Sequence, residues 1–212
     1  MRLMVAEKPL KRILRWSQLV LLAGGVSLLA YCGFVLLDAW QFQQGERRQL
    51  ERLVTLRQEA NSGARQSASP TSRKTPPPAP ADGLVGRIEI PRLGLSAIVM
   101  EGIRPRTLRR AVGHIPGTAL PGQPGNVGIS GHRDTFFRPL RNIRRNDIIT
   151  LTTLRGEYRY RVLSTKIVRP DNVAVLDPSE KEMLTLVTCY PFYFVGPAPD
   201  RFIVRAERED RL

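Results

Sequence analysis

Four patterns of apolar and polar residues follow one another along this chain, and each predicts a different kind of structure. From Ser17 to Leu37 no charged side chain interrupts an apolar run broken only by Ser, Gly and Gln18. A helix rising about 1.5 Å per residue needs roughly 20 such residues to cross a bilayer, so the run predicts one transmembrane helix. From Gln41 to Ala60, Phe42, Leu50, Leu53, Val54 and Leu56 recur loosely at helical spacing among Gln, Arg and Glu. A helix with a thin apolar stripe is expected there, too short for a sustained heptad and read as a solvated stalk. Asn61 to Ala81 is mostly Ser, Ala, Thr and Pro with Pro76-Pro77-Pro78 near its end, a composition that buries no core and predicts an extended tether.

From Gly83 onward the period changes to two. Val85–Ile90, Leu95–Met100, Asn126–Ser130, Asp147–Thr153, Glu157–Val168, Leu184–Cys189 and Arg201–Glu207 alternate or are rich in β-branched residues, as strands are. Arg155-Gly156 closes a hairpin, and Arg106–Val112 and Phe136–Ile143 read as short helical turns. Many short strands with Gly and Pro at the corners point to a mainly β domain closed into a barrel. The expected divisions are 1–16, a basic cytoplasmic N-terminus; 17–37, an uncleaved signal anchor; 38–60, a juxtamembrane helix; 61–82, the Pro/Ser-rich tether; and 83–212, the folded domain.

Charge sharpens this picture. Arg2, Lys8, Lys11, Arg12 and Arg15 precede the apolar run against Glu7 alone, which predicts a cytoplasmic N-terminus and an extracytoplasmic domain. Trp16 and Trp40 bracket the run as interfacial aromatics do. Lys and Arg number 33 against 19 Asp and Glu, a net +14. The excess is spread along the chain without a continuous basic tract or stacking motif, which argues against nucleic acid as a partner; anionic lipid or an acidic wall polymer accounts for it.

Only two cysteines are present, Cys32 inside the apolar run and Cys189 in the β-rich part, so an internal disulfide is not expected. Cys189 ends the β-branched run Thr185-Leu186-Val187-Thr188-Cys189, and Tyr190-Pro191 stops it. A nucleophilic thiol needs a proton donor for the leaving group and a cation near the developing oxyanion. Two histidines can serve: His132, in the Gly-His turn after Asn126–Ser130, and His114, before a Gly/Pro-rich loop and read as structural. Arg201 opens the last strand; Arg205 lies on the same face but further along, and Arg133 is the third contender. A papain-like enzyme would set its cysteine at a helix N-terminus, whereas Cys189 ends a strand.

These residues resemble the sortase family. Thr185-Leu186-Val187-Thr188-Cys189 matches the signature Thr-Leu-x-Thr-Cys, and Gly131-His132-Arg133-Asp134-Thr135 is similar to the family's histidine segment. Cys189-Tyr190-Pro191-Phe192 leading to Ala198-Pro199-Asp200-Arg201-Phe202 resembles the class D branch. The resemblance covers about Gly83 to Arg208 and implies an eight-stranded sortase-type β-barrel with short helices. It implies Cys189, His132 and Arg201 as catalytic residues, Thr188 as part of the peptide groove, and a thiol-peptidase type of chemistry. The implied substrate is a Leu-Pro-x-Thr-like sorting signal, passed through a thioester to an amine acceptor such as cell-wall peptide or a pilin lysine. Rival readings are a non-catalytic wall-binding scaffold and a hydrolytic cysteine peptidase. No cofactor is required by the scheme. Calcium is admitted by the resemblance, with Asp171, Asp177, Glu180 and Glu182 as the acidic residues on offer, although their spacing fits a solvated patch as well.

Overall fold

The computed structural model describes residues 7–64, 83–194 and 196–209, with side chains of the first helix from 12 to 57. Most of the predicted tether, 65–82, and the first six residues lie outside them. The chain divides into two compact units, 1–41 and 42–212. The first consists of the N-terminal part of helix α1 (Glu7–Ala64), whose apolar side chains from Trp16 to Leu37 stand exposed. Among the described residues it is the one helix long and apolar enough to cross a membrane.

The second unit contains eight strands: β1 (Leu84–Ile90), β2 (Leu95–Glu101), β3 (Val112–His114), β4 (Asn126–Ser130), β5 (Ile148–Thr153), β6 (Gly156–Val168), β7 (Met183–Tyr190) and β8 (Asp200–Arg208). They close into a barrel in the order β1-β2-β3-β4-β7-β8-β6-β5. β2 with β3 and β4 with β7 run parallel, and the other pairs are antiparallel. An eight-stranded barrel is just wide enough for side chains to fill it, and alternate residues such as Ile88, Val99, Ile129, Leu151, Leu186 and Val204 do so, each fully buried. Tyr160 joins them, and burial pushes its phenol up to about 12.

All seven predicted strands form, and the eighth was hidden. Arg106–Val112 reads as a helical turn, yet helix α2 is only Pro105–Leu108, and Val112 instead opens β3. Three residues are too few to show a period; β3 exists because β2 and β4 supply its hydrogen-bond partners. The second predicted turn is a 3-10 helix, Arg138–Asn142, that drops Leu140 into the core beside Phe137. Its exit is fixed by Asp147, which accepts from the Arg92 guanidinium and from Arg144 N at 2.7 Å.

The reading of residues 41–60 as a solvated stalk is corrected. Leu50 is 1% exposed, packed with Leu84, Ile98 and Ala111, and Phe42 and Val54 flank it. Gln43 joins the two polar partners beside this cluster: its Nε2 donates to Arg110 O at 2.6 Å, and its Oε1 accepts from Ile98 N at 2.9 Å. Arg87 reaches Glu51 at 3.1 Å on the far side. The thin stripe has found a barrel wall. Leu50 and Leu84 share one buried cluster although the tether separates them in sequence.

Leu50→Ala is expected to lower the stability of a fragment beginning at Phe42 by about 2–4 kcal/mol in urea unfolding, and a fragment beginning at Gly83 should melt below the longer one. The Arg92 guanidinium, followed by the Arg144 amide, holds the Asp147 carboxyl below the usual carboxylate range. Because the folded value is depressed, the contribution is fully present above the ordinary aspartate pKa and is lost as pH falls through the lower folded value. Urea midpoints at neutral pH and below pH 4 should therefore converge more in Asp147→Asn than in the wild type.

Candidate active site

Register places the two strand-borne candidates together. In the β7–β8 pair Cys189 stands directly opposite Arg201, with Thr188 opposite Phe202 and Val187 opposite Ile203. Leu184, Leu186 and Thr188 point into the barrel with Phe202, Val204 and Ala206, so Cys189 and Arg201 share the outer face, where directly opposed residues have Cβ atoms about 5 Å apart. Cys189 is half-buried and forms no disulfide. Arg201 Nη1 donates to Asp200 O at 2.9 Å and Ala198 O at 3.3 Å, which turns the guanidinium toward the strand's entry. Its Nε and Nη2 donate to no described residue, leaving a planar pair of donors for another group.

His132 is brought to the same end by β4, which runs parallel to β7 and ends two residues before this histidine. Gly131 N donates to Val187 O at 3.1 Å, and Thr188 Oγ1 donates to Gly131 O at 2.7 Å. The peptide preceding His132 is thus stitched to the two residues preceding Cys189. A Cβ on Gly131 would stand 2.8 Å from Phe137 Cδ2 and 2.9 Å from Val112 Cγ1, so only glycine admits this approach. The His132 side chain is exposed, and among the described residues it has no hydrogen-bond partner. Thr188, expected to line the peptide groove, is 2% exposed and works from inside the barrel; that expectation is corrected.

His114 is held quite differently. It is 3% exposed, with Nδ1 2.8 Å from Glu101 Oε2 and Nε2 2.9 Å from Ala119 O and 3.1 Å from Thr118 Oγ1. Both ring nitrogens are engaged, and the imidazole braces β2 and β3 against the following loop. Arg205 pairs with Thr185, four residues along β8 from Arg201 and about 13 Å away.

Two loops flank the outer face. The β6–β7 connection crosses β4, where Asn126 Nδ2 donates to Val175 O at 3.1 Å and Asp177 O at 3.2 Å, and Leu176 packs over Gly128. The β7–β8 connection is fastened by Arg133, the contender for the cationic role. Arg133 is 6% exposed; its Nη1 donates to Pro191 O at 2.8 Å, and its Nη2 donates to Phe194 O at 2.7 Å and Gly196 O at 3.1 Å. One side chain, adjacent to His132, therefore shapes the segment that leaves Cys189 and returns to Arg201. Sequence reasoning missed this task because carbonyl acceptors leave no residue-type signal. Tyr190, Phe192 and Phe202 pack ring to ring at 5.2–6.3 Å behind the same segment.

Among the described residues no three His, Cys, Asp or Glu side chains converge as a metal would need. Of the four acidic residues on offer, Asp171 faces Arg169 at 3.6 Å and Glu182 faces Arg208 at 3.9 Å. They do not fit a calcium site as they stand.

Comparison with known proteins points one way. The family model described as Sortase domain matches residues 88–209. Sortase D of Bacillus subtilis is 32% identical over 191 residues, covering 90% of this chain and 96% of that protein. Sortase A of Listeria monocytogenes is 30% identical over 112 residues, about half of each chain. Among solved structures, a Clostridium perfringens sortase D5 transpeptidase superposes with a TM-score of 0.55 at 29% identity, covering 60% of this chain and 79% of that one.

Arg133→Gln should loosen the loop without unravelling the barrel. Losing hydrogen bonds from a charged donor weakens such a segment enough to speed amide exchange between Phe192 and Phe194 by about tenfold or more, while β7 and β8 stay protected. Exchange mass spectrometry of the two proteins reads this directly, and unchanged exchange in the loop would show that Arg133 does not fasten it.

Proposed function

The chain belongs to the sortase family of cysteine transpeptidases, and from that premise we propose that it is a membrane-anchored enzyme joining secreted proteins to an amine at the cell surface. The observation that carries the assignment of roles is the direct opposition of Cys189 and Arg201 across β7 and β8, with Gly131-His132 stitched to the residue before the cysteine.

In this reading the Cys189 thiolate attacks a backbone carbonyl of a Leu-Pro-x-Thr-like sorting signal. The carbonyl π electrons move to oxygen, and the free donors of Arg201 meet the negative charge that grows there, in a setting where one such donor is worth about a hundredfold or more in rate. His132, as imidazolium, gives its proton to the departing amine as the C–N bond breaks, and a thioester to Cys189 remains. An incoming amine, from cell-wall peptide or a pilin lysine, then attacks the thioester. His132 takes the proton from that amine, the C–S bond breaks, and a new amide forms. No cofactor enters these steps. The exposed position of His132 suits a group that must meet two different amines in turn. The β6–β7 and β7–β8 connections supply the walls of the peptide groove.

The N-terminal helix supports membrane attachment by residues 17–37. The basic flank supports a cytoplasmic N-terminus and an extracytoplasmic barrel.

Cleavage of a Leu-Pro-x-Thr-x peptide library, with and without an added amine, tests the proposal. Cys189→Ala should abolish turnover, His132→Ala should leave little, and Arg201→Ala should lose about a hundredfold or more in kcat/KM, whereas His114→Ala should lose far less. Amine should raise the yield of ligated product at the expense of hydrolysed peptide. Near-wild-type turnover in His132→Ala with loss in His114→Ala would exchange the two roles, and hydrolysis indifferent to amine would make the enzyme a peptidase.

A further inference from the structure

The connection between β2 and β3 is strongly basic. Around α2 it carries Arg104, Arg106, Arg109 and Arg110 within seven residues. Arg104, Arg106 and Arg109 are exposed, and among the described residues none of the three pairs with a carboxylate. Ile103 stands beside them with 43% of its surface open. The nearby acid Glu101 is already turned to His114.

What fixes the location of this segment is its attachment to residues 42 and 43. The Arg110 guanidinium lies 5.8 Å from the centre of the Phe42 ring, and Gln43 Nε2 donates to Arg110 O at 2.6 Å. Phe42 follows Leu37, the last residue of the apolar run, by five positions. Five residues reach at most about 18 Å when extended and about 8 Å in a helix. A group fastened to Phe42 is therefore held within reach of the lipid headgroups by covalent connection alone, and within about a Debye length of their charge when the link is helical.

We propose that residues 103–110 are a docking surface for the anionic headgroups of the bilayer that residues 17–37 span. The inference rests on the anchoring put forward above. Guanidinium forks match phosphate oxygens, each arginine near an anionic surface favours the bound state by about fivefold, and an exposed isoleucine among them suits the interfacial layer. An anionic wall polymer offers the same phosphate chemistry. The bilayer is preferred because the chain itself delivers the segment to it. The contact gives the barrel a second hold on the membrane and restricts rotation about the helix axis, which orients the groove for substrates emerging beside it.

The full chain reconstituted in nanodiscs of phosphatidylcholine, alone or mixed with phosphatidylglycerol, tests this by amide exchange of residues 103–110. Exchange should slow by about tenfold or more in the anionic discs, return toward the neutral-disc rate at high salt, and stay at that rate in the R104E/R106E/R109E variant. Protection of β7 and β8 in that variant shows that it is folded. Equal exchange of wild-type protein in the two discs overturns the docking surface while leaving the anchor intact, and so does protection that arises only on adding soluble polyphosphate. Recovery of the full chain outside the discs overturns the anchor itself, and the docking surface with it.

Discussion

The position of β7 between a parallel neighbour and an antiparallel one is the constraint on which the candidate site depends. β4 and β8 both bond to this strand, β4 in register from Met183 to Val187 and β8 from Met183 to Tyr190. A slip of one residue would turn Leu184, Leu186 and Thr188 out of the core and carry Cys189 inside, so burial of the even-numbered residues sets which face the thiol occupies. The parallel partner matters equally. An antiparallel β4 would bring its first residue, not the turn with His132, to the cysteine end.

Around that strand the polar groups divide by exposure. Thr188, Thr185, Asn126 and Arg133 are buried and satisfied, and each ties a loop or neighbouring strand to β7 or its exit. His132 and Arg201 keep donors or acceptors unspent at the surface. The contrast between the two histidines follows the same division: His114 has both nitrogens engaged inside the wall, and His132 has neither engaged among the described residues. A group that must exchange protons with a substrate needs that freedom, while its backbone needs the opposite.

Where local chemistry determined structure, the sequence was readable. The β-branched run ending at Cys189, the Arg155-Gly156 hairpin and the apolar run to Leu37 each carry their own signal. The order of strands in the barrel is not local, and it entered through resemblance of three separated motifs. β3 was missed because three residues acquire strand geometry only from partners on both sides. The docking of Leu50 was missed because a thin stripe looks the same whether it meets water, another helix or a barrel wall. The placing of Thr188 in the groove came from the family resemblance and not from the alternation of its own strand. Once its neighbours' burial fixes the alternation, the hydroxyl faces Gly131.

The claim that this register makes Cys189 the nucleophile is tested most directly by stopping the reaction before an acceptor arrives. Full-length protein mixed with a Leu-Pro-x-Thr-x peptide and no amine, then acid-quenched, should gain the mass of the N-terminal peptide fragment as a hydroxylamine-sensitive adduct. Digestion should map that adduct to Cys189, leaving Cys32 unmodified. An adduct at any other residue, or steady cleavage with no adduct through the burst, would contradict the account.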